Sequence, residues 1–350
     1  MAFVTAEGRN CFPCSQWRGR NIVCPCYGKS ERRWQIYELA GQYSAGDGYL
    51  MGNSSAVARV LESRQLLSGG WSFTGSKQAT VEATCLAALA LAGETQANTR
   101  AAIQFLLKSQ LTDGGWPAFE GDSEGSWTTA LALCVAIGAN EMAEAGERAL
   151  NWLLEERGRE GHWFWRWKFK TVDRNVHFNP DKYGWPWSHG AASWVIPTAF
   201  SVVALKQLTA CNRARAPEKR IRLGVEMLLD RACVGGGWNS GNSVVYGAPL
   251  RPHVETTAIA LLALQGEERS PIIRAGLAWL KDRASSIASA ESLAWCILSL
   301  FVYQEPVEQL KTLLTIRLGA GLRIQNNATV ATALLAMKCG EMIHPFEVLR

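Results

Sequence analysis

A short motif recurs along this chain and limits its fold more than any other feature. Gln65-Leu-Leu-Ser-Gly69-Gly70-Trp71 reappears as Gln110-Leu-Thr-Asp-Gly114-Gly115-Trp116, both of the form Gln-x-x-x-Gly-x-Trp. Two shorter copies, Arg157-Gly-Arg-Glu-Gly161-His-Trp163 and Ala232-Cys-Val-Gly-Gly236-Gly-Trp238, keep Gly and Trp and lose Gln. Internal similarity of this kind marks a repeat architecture, in which each unit buries its apolar face against the next.

Each copy sits between two helix-like segments. The segment before it is amphipathic: 56–67, 99–109, 144–156 and 219–232. The segment after it is rich in Ala and Leu: 81–92, 127–137, 193–208 and 254–264. Two further pairs, 271–283 with 289–301 and 306–318 with 328–337, lack the Gly-Trp signature. A helix with one charged face looks outward, and a helix that is apolar nearly all round is buried on both sides. Six such pairs predict an all-α fold, an (α/α)6 toroid of outer and inner helices. It spans residues 51–345, with an aromatic-rich insertion at 158–193 in the third hairpin. Residues 1–50 form a separate Cys-rich basic arm.

Apolar residues make up 48% of the 350 residues and charged residues 19%, which supports a large core and excludes a disordered chain. No run of eighteen apolar residues is present, so no membrane-spanning helix is expected. The first residues lack a basic head followed by an apolar stretch, so a cytoplasmic location is expected, with membrane association at the surface left open. The net charge of +5 is spread along the chain, which makes nucleic acid a poor candidate partner.

The turn has its own chemistry. Glycine after a helix takes the left-handed conformation that caps it. The indole covers the turn, and its N–H needs an acceptor. Gln is placed to bond the ends of neighbouring helices. Glu82, Ser126 and Glu255 fall near the starts of inner helices, where acids and hydroxyls act as caps.

Gln-x-x-x-Gly-x-Trp resembles the QW repeat of squalene and oxidosqualene cyclases. The Gly-Gly-Trp turn followed by an apolar helix is similar to the repeats of protein prenyltransferase β subunits. Tyr183-Gly-Trp-Pro-Trp187 and Ser193-Trp-Val-Ile-Pro-Thr-Ala-Phe200 also resemble bacterial squalene–hopene cyclase-like proteins. The resemblance covers about residues 55–340. It implies a toroid around a hydrophobic cavity that holds an isoprenoid or similar hydrophobic small molecule.

The chemistry of that superfamily is only partly matched. Its cyclases protonate an alkene or epoxide with an Asp-x-Asp-Asp motif, and this chain has no Asp-x-Asp. The matching places read Thr80-Val-Glu82-Ala-Thr84 and His253-Val-Glu255-Thr256. An alkene is a very poor base, so a lone carboxyl needs help to protonate one. Glu255 as proton donor, tuned by His253, is the candidate catalytic pair. Glu82, Trp127, Tyr183, Trp185, Trp187 and Trp194 are candidate ligand-binding residues. The prenyltransferase zinc set is approached only by Asp230, Cys233 and His253, with a different spacing.

In the insertion, Trp165-Arg-Trp-Lys-Phe-Lys170 alternates aromatic and basic residues, which predicts a strand or extended ribbon. It suits a strap over one mouth of the ring, a stack on a cationic or prenyl ligand, a membrane interface, or single-stranded nucleic acid. Asp173, His177 and Asp181 are its only close set of titratable groups. In the arm, Cys11, Cys14, Cys24 and Cys26 suggest a tetrahedral zinc site, although the second pair is separated by one residue rather than the usual two to four. Free thiols in a basic arm, or disulfides, which a cytoplasmic location disfavours, are the alternatives, and no other cofactor is indicated.

Two functions remain open on these residues. One is a toroid that binds an isoprenoid and acts on it as a terpene cyclase does. The other is a non-catalytic toroid that binds a lipid, a membrane surface or a partner protein. A carbohydrate-active toroid needs carboxylates facing each other across a groove, for which the inner segments offer mainly Glu82, Glu255 and Glu291.

Overall fold

The computed structural model describes residues 53–93, 95–173, 177–211, 218–268, 270–319, 321–322 and 324–348. The arm and its four cysteines, Cys11, Cys14, Cys24 and Cys26, lie outside the described residues. The outer helices are α1 (Ser54–Ser63), α3 (Gln96–Ser109), α5 (Ala143–Glu155), α8 (Glu218–Asp230), α10 (Pro271–Arg283) and α12 (Glu308–Gly319). The inner helices are α2 (Val81–Ala90), α4 (Thr128–Gly138), α7 (Val195–Ala210), α9 (Val254–Ala263), α11 (Ala290–Val302) and α13 (Asn327–Met337). The insertion adds α6 (Trp163–Thr171), and a short antiparallel hairpin pairs Val244–Val245 with Ala248–Pro249.

Each inner helix packs on the next in the order α2, α4, α7, α9, α11, α13, and α13 packs back on α2. The ring is therefore closed, and the fold is the expected (α/α)6 toroid. Polar bonds seal the seam. Asn327 Nδ2 donates to Ser72 O at 2.8 Å, and Lys338 Nζ donates to Ala90 O at 2.9 Å. Arg64 donates to Gln325 O and Leu322 O from the first outer helix to the last turn. Burial follows the two sequence patterns. On α4 every residue from Thr128 to Ala136 is buried, whereas α5 buries only Ala145, Gly146, Ala149, Leu150 and Leu153, three or four residues apart.

The Gly-Trp turn is a clamp. Each indole is buried and its Nε1–H donates back to a leucine carbonyl near the end of the preceding outer helix. The pairs are Trp71 with Leu61, Trp116 with Leu106 and Trp238 with Leu228, at 2.6–2.7 Å. The backbone N–H of the same Trp donates to a threonine of the following inner helix: Thr84, Thr129 and Thr257, at 2.8–2.9 Å. One residue thus bonds both helices of its hairpin. Gln65 Nε2 donates to Gly69 O and to Asn98 O of the next outer helix, and Gln110 repeats this with Gly114 O and Ala145 O. Gly114 has φ +95°, and a Cβ there would stand 2.6 Å from Arg148 O, so only glycine lets the turn touch the next helix.

The third clamp is not built by Trp163, which is 72% exposed. Trp185 takes its place. Its Nε1–H donates to Leu153 O at 2.8 Å and its N–H to Thr198 Oγ1 at 3.0 Å. The insertion is thus spliced between the end of α5 and its own clamp. Nor is 163–171 a strand. A strand needs a neighbour for its backbone groups, and a helix satisfies them internally. Trp165 and Phe169, four residues apart, share the face of α6 that turns to the protein, their rings 6.2 Å apart.

These two tryptophans predict opposite mutational outcomes. Trp185→Phe leaves Leu153 O without its donor and lowers stability by about 1–3 kcal/mol. Trp163→Phe changes stability by less than about 0.5 kcal/mol. Urea denaturation of both variants checks the assignment.

Candidate functional site

Every Gly-Trp turn runs from the end of an outer helix to the start of an inner one, so the inner helices begin at the same end of the ring. The second residues of α2, α9 and α11 are Glu82, Glu255 and Glu291. Helices α2 and α9 stand opposite each other in the ring order, and α11 adjoins α9. Glu82 and Glu255 therefore face each other across the mouth, with Glu291 beside the second. All three are partly buried. Thr329 of α13 donates its hydroxyl to Glu291 Oε2 at 2.9 Å.

Burial raises the Glu82 carboxyl to about 7, with the charges of Glu291 and Glu255 adding to the effect. Glu255 is also raised to about 7, first by burial and then by Glu291. Helix N-termini favour the ionised form, and here desolvation and mutual repulsion outweigh them. His253, the candidate tuner of Glu255, sits exposed at the N-cap of α9 with its backbone N–H bonded to Trp238 O. The charge that adds to the upward shift of Glu255 is that of Glu291.

Aromatic rings occupy the axis below the mouth. Trp127, at the N-cap of α4, meets Trp187 edge-on at 5.1 Å and Phe200 of α7 at 5.7 Å. Phe200 meets Trp295 of α11 at 5.6 Å. Helices α7 and α11 are not neighbours in the ring, so this contact crosses its centre. Phe346 enters from the opposite end, fully buried, 5.7 Å from Phe200 and 5.5 Å from Trp295. Gln207 Nε2 holds its segment through Pro345 O and Glu347 O, and Gln265 Nε2 through Phe346 O. The ligand space expected along the axis is thus limited at mid-height by these rings. A separate groove of about 280 Å³ lies between α4 and α5, lined by Leu133, Ile137, Gly146 and Leu150, and holds none of the candidate residues.

The fold brings Glu82 toward Glu255, and Trp127 onto Trp187. It places the other candidates elsewhere. Trp185 is 1% exposed inside its clamp, so it faces no ligand. Tyr183 lies under the guanidinium groups of Arg166 and Arg220. Trp194 is half-exposed beside Gly241. Asp181 is ion-paired to Lys170 at 2.6 Å. Asp230 pairs with Arg231 and Cys233 accepts from Asn239 Nδ2. Among the described residues no three His, Cys, Asp or Glu side chains come close enough to hold a metal. Phe200, Trp295 and Phe346 join the site unannounced; an isolated aromatic in an Ala/Leu inner helix is the only signal for the first two.

Two carboxyls that hold protons near neutral pH are matched to general acid and base catalysis there. They also leave a signature in stability. An unfolded glutamate ionises near 4.5, whereas folded Glu82 keeps its proton to about 7. The folded state binds more protons in that window, so stability falls as pH rises from about 4.5 to about 7. Glu82→Gln removes the share of this slope that Glu82 contributes and leaves that of Glu255. Its melting temperature is expected to change less across the window than that of the unsubstituted protein, and thermal melts over a pH series measure it.

No protein-family model and no curated protein matches the chain by sequence. Solved structures do match in fold. A type II terpene cyclase from Scytonema, in complex with merosterolic acid A, is 16% identical with a TM-score of 0.54, over 86% of this chain and 100% of that one. A GH76 α-mannanase from Bacteroides thetaiotaomicron is 10% identical with a TM-score of 0.57, over 84% and 97%. An α-amylase from Clostridium perfringens is 9% identical with a TM-score of 0.55, over 81% and 97%. The chain shares its toroid fold with a terpene cyclase and with glycosidases alike.

Proposed function

We propose that the protein binds an isoprenoid-like ligand at the mouth of the ring and acts on an oxygen function of that ligand by acid–base chemistry. The observation that carries this reading is the pair of opposed carboxyls, Glu82 and Glu255, protonated near neutral pH at the open end of an aromatic axis. A carboxyl of that strength is too weak for an unactivated alkene, but it is suited to protonating an alcohol or ether oxygen as the C–O bond breaks. Glu255 gives the proton, and the charge of Glu291 favours proton return. Trp127 and Trp187 present ring faces to the cation that develops.

The fold alone does not choose between isoprenoid and sugar, since its neighbours include a terpene cyclase and glycosidases. The polar groups of the rim favour the former. Thr128 bonds Pro117 O, Thr129 bonds the Trp116 N–H and Asn327 bonds Ser72 O, so they serve the turns rather than a polyhydroxylated ligand. A second reading, binding without turnover, draws on Phe346, which fills part of the axis.

Farnesol and geranylgeraniol are the probes, with mannotriose and maltotriose as comparison. Saturable tryptophan quenching by the prenyl alcohols is expected, weakened roughly tenfold by Trp127→Ala. Dehydrated or cyclised product, detected by mass spectrometry, is expected from the native protein and lost in Glu255→Gln with binding retained. Binding without product supports the second reading. Reducing-end release from either oligosaccharide overturns both.

A further inference from the structure

The two ends of the ring differ in what they show to solvent. Fourteen large apolar side chains are exposed among the described residues. All but Ile316 and Ile343 stand on the connections that lead into inner helices, at the mouth end. The insertion helix α6 concentrates them. None of its residues is buried. Trp163, Phe164 and Trp167 project from one side at 72%, 44% and 54% exposure. Val172, just beyond its end, is 64% exposed.

The opposite side of α6 is fixed. Arg159 and Lys168 lie over the Trp165 ring at 4.7 and 4.8 Å. Phe169 packs on Phe178 at 5.2 Å, and Arg231 lies over Phe178. Arg166 donates to Gly161 O, and Lys170 pairs with Asp181. The exposed aromatics are thus held on a firm support. Residues 158–193 carry six Lys/Arg against three Asp/Glu. One of those acids, Glu160, is buried near Arg231, so the surface charge of the insertion is positive.

We infer that α6 is a membrane-docking element, which lays Trp163, Phe164 and Trp167 into the interfacial layer of an anionic phospholipid bilayer. Tryptophan with lysine is the composition that interface favours, the ring at the headgroup level and the cation toward lipid phosphates. Among the described residues no helix is long and apolar enough to cross a membrane, so the attachment is to one leaflet surface. Docking at this end turns the mouth and its carboxyls toward a source of hydrophobic ligand. The inference itself does not depend on the ligand proposal, since it rests on α6 alone.

Flotation of the full chain with vesicles tests it. Vesicles of phosphatidylcholine with phosphatidylglycerol are expected to carry the protein, and phosphatidylcholine alone to carry much less. Trp163→Ala with Trp167→Ala should weaken partitioning roughly tenfold or more, with the circular dichroism spectrum unchanged. Raising the salt concentration should weaken partitioning on the anionic vesicles and leave the weaker binding to phosphatidylcholine alone unchanged. The inference is overturned by equal binding of the native and double-alanine proteins, or by no binding to anionic vesicles. It is equally overturned if the aromatic variants instead abolish self-association in sedimentation or binding of single-stranded RNA. Retained quenching by farnesol in the double-alanine variant separates failure of docking from failure of the ligand site.

Discussion

The indole clamp decides the polarity of this ring. One tryptophan donates its side-chain N–H to the helix it leaves and its backbone N–H to the helix it enters, in four of the six hairpins. The acceptors are buried carbonyls and a buried hydroxyl, where an unmade bond costs about 1–3 kcal/mol. That penalty fixes the end of each outer helix against the start of its inner partner. The inner helices consequently run in one sense, with their N-termini gathered at a single mouth. A glutamate at the second position of any of them is then a residue of the mouth.

Two opposing effects meet in those glutamates. The positive ends of the inner helix dipoles favour carboxylates over carboxylic acids. Partial burial acts the other way, and so does the presence of the others, because each charge raises the cost of the next. Burial is the leading cause of the shift on both Glu82 and Glu255, so the proton stays on to about 7. A toroid that placed one glutamate here would have a cap. This one places three within electrostatic reach, which raises two of them as a lone cap would not be raised. In sequence each acid reads as a cap, and only the closed ring brings the three to one mouth.

The toroid was legible because its signal repeats. Six outer–inner alternations are redundant, and a helix apolar on all sides has few other places to go. The misplaced third clamp shows the limit of pattern matching. Gly161-His-Trp163 keeps the spacing from Gly to Trp, but Gly184-Trp185 keeps a deeper one. Thr84, Thr129 and Thr198 each follow their tryptophan by thirteen residues, and thirteen after Trp163 stands Val176, which offers no hydroxyl. The strand expected at 165–170 failed for a related reason. Alternation of aromatic and basic residues over six positions also gives a helix a four-residue aromatic pair, Trp165 with Phe169, and only the packing partner, Phe178, selects between the two periods. Contacts between remote segments, such as Phe346 with Phe200, leave no local trace at all.

Phe346 also explains how a ring with apolar inner helices can close without an empty centre. An unfilled axis lined by Ala and Leu forfeits dispersion contacts on every side, at a cost that grows with its volume. Phe200 and Trp295 reach across from the inner wall, and the C-terminal segment supplies the ring they lack. The glutamines at positions 207 and 265 bond the backbone of that segment rather than its side chains, so they hold its path whatever ring it carries. Phe346 fills the axis from the far end, whereas the carboxyls of Glu82 and Glu255 stand at the mouth. The far end of the axis is thereby filled by a residue 55 positions from the nearest of the three glutamates, Glu291, and in no helix with any of them. The proposed ligand would on this packing insert one apolar end at the mouth and leave its polar group at the rim, where Glu82 and Glu255 stand.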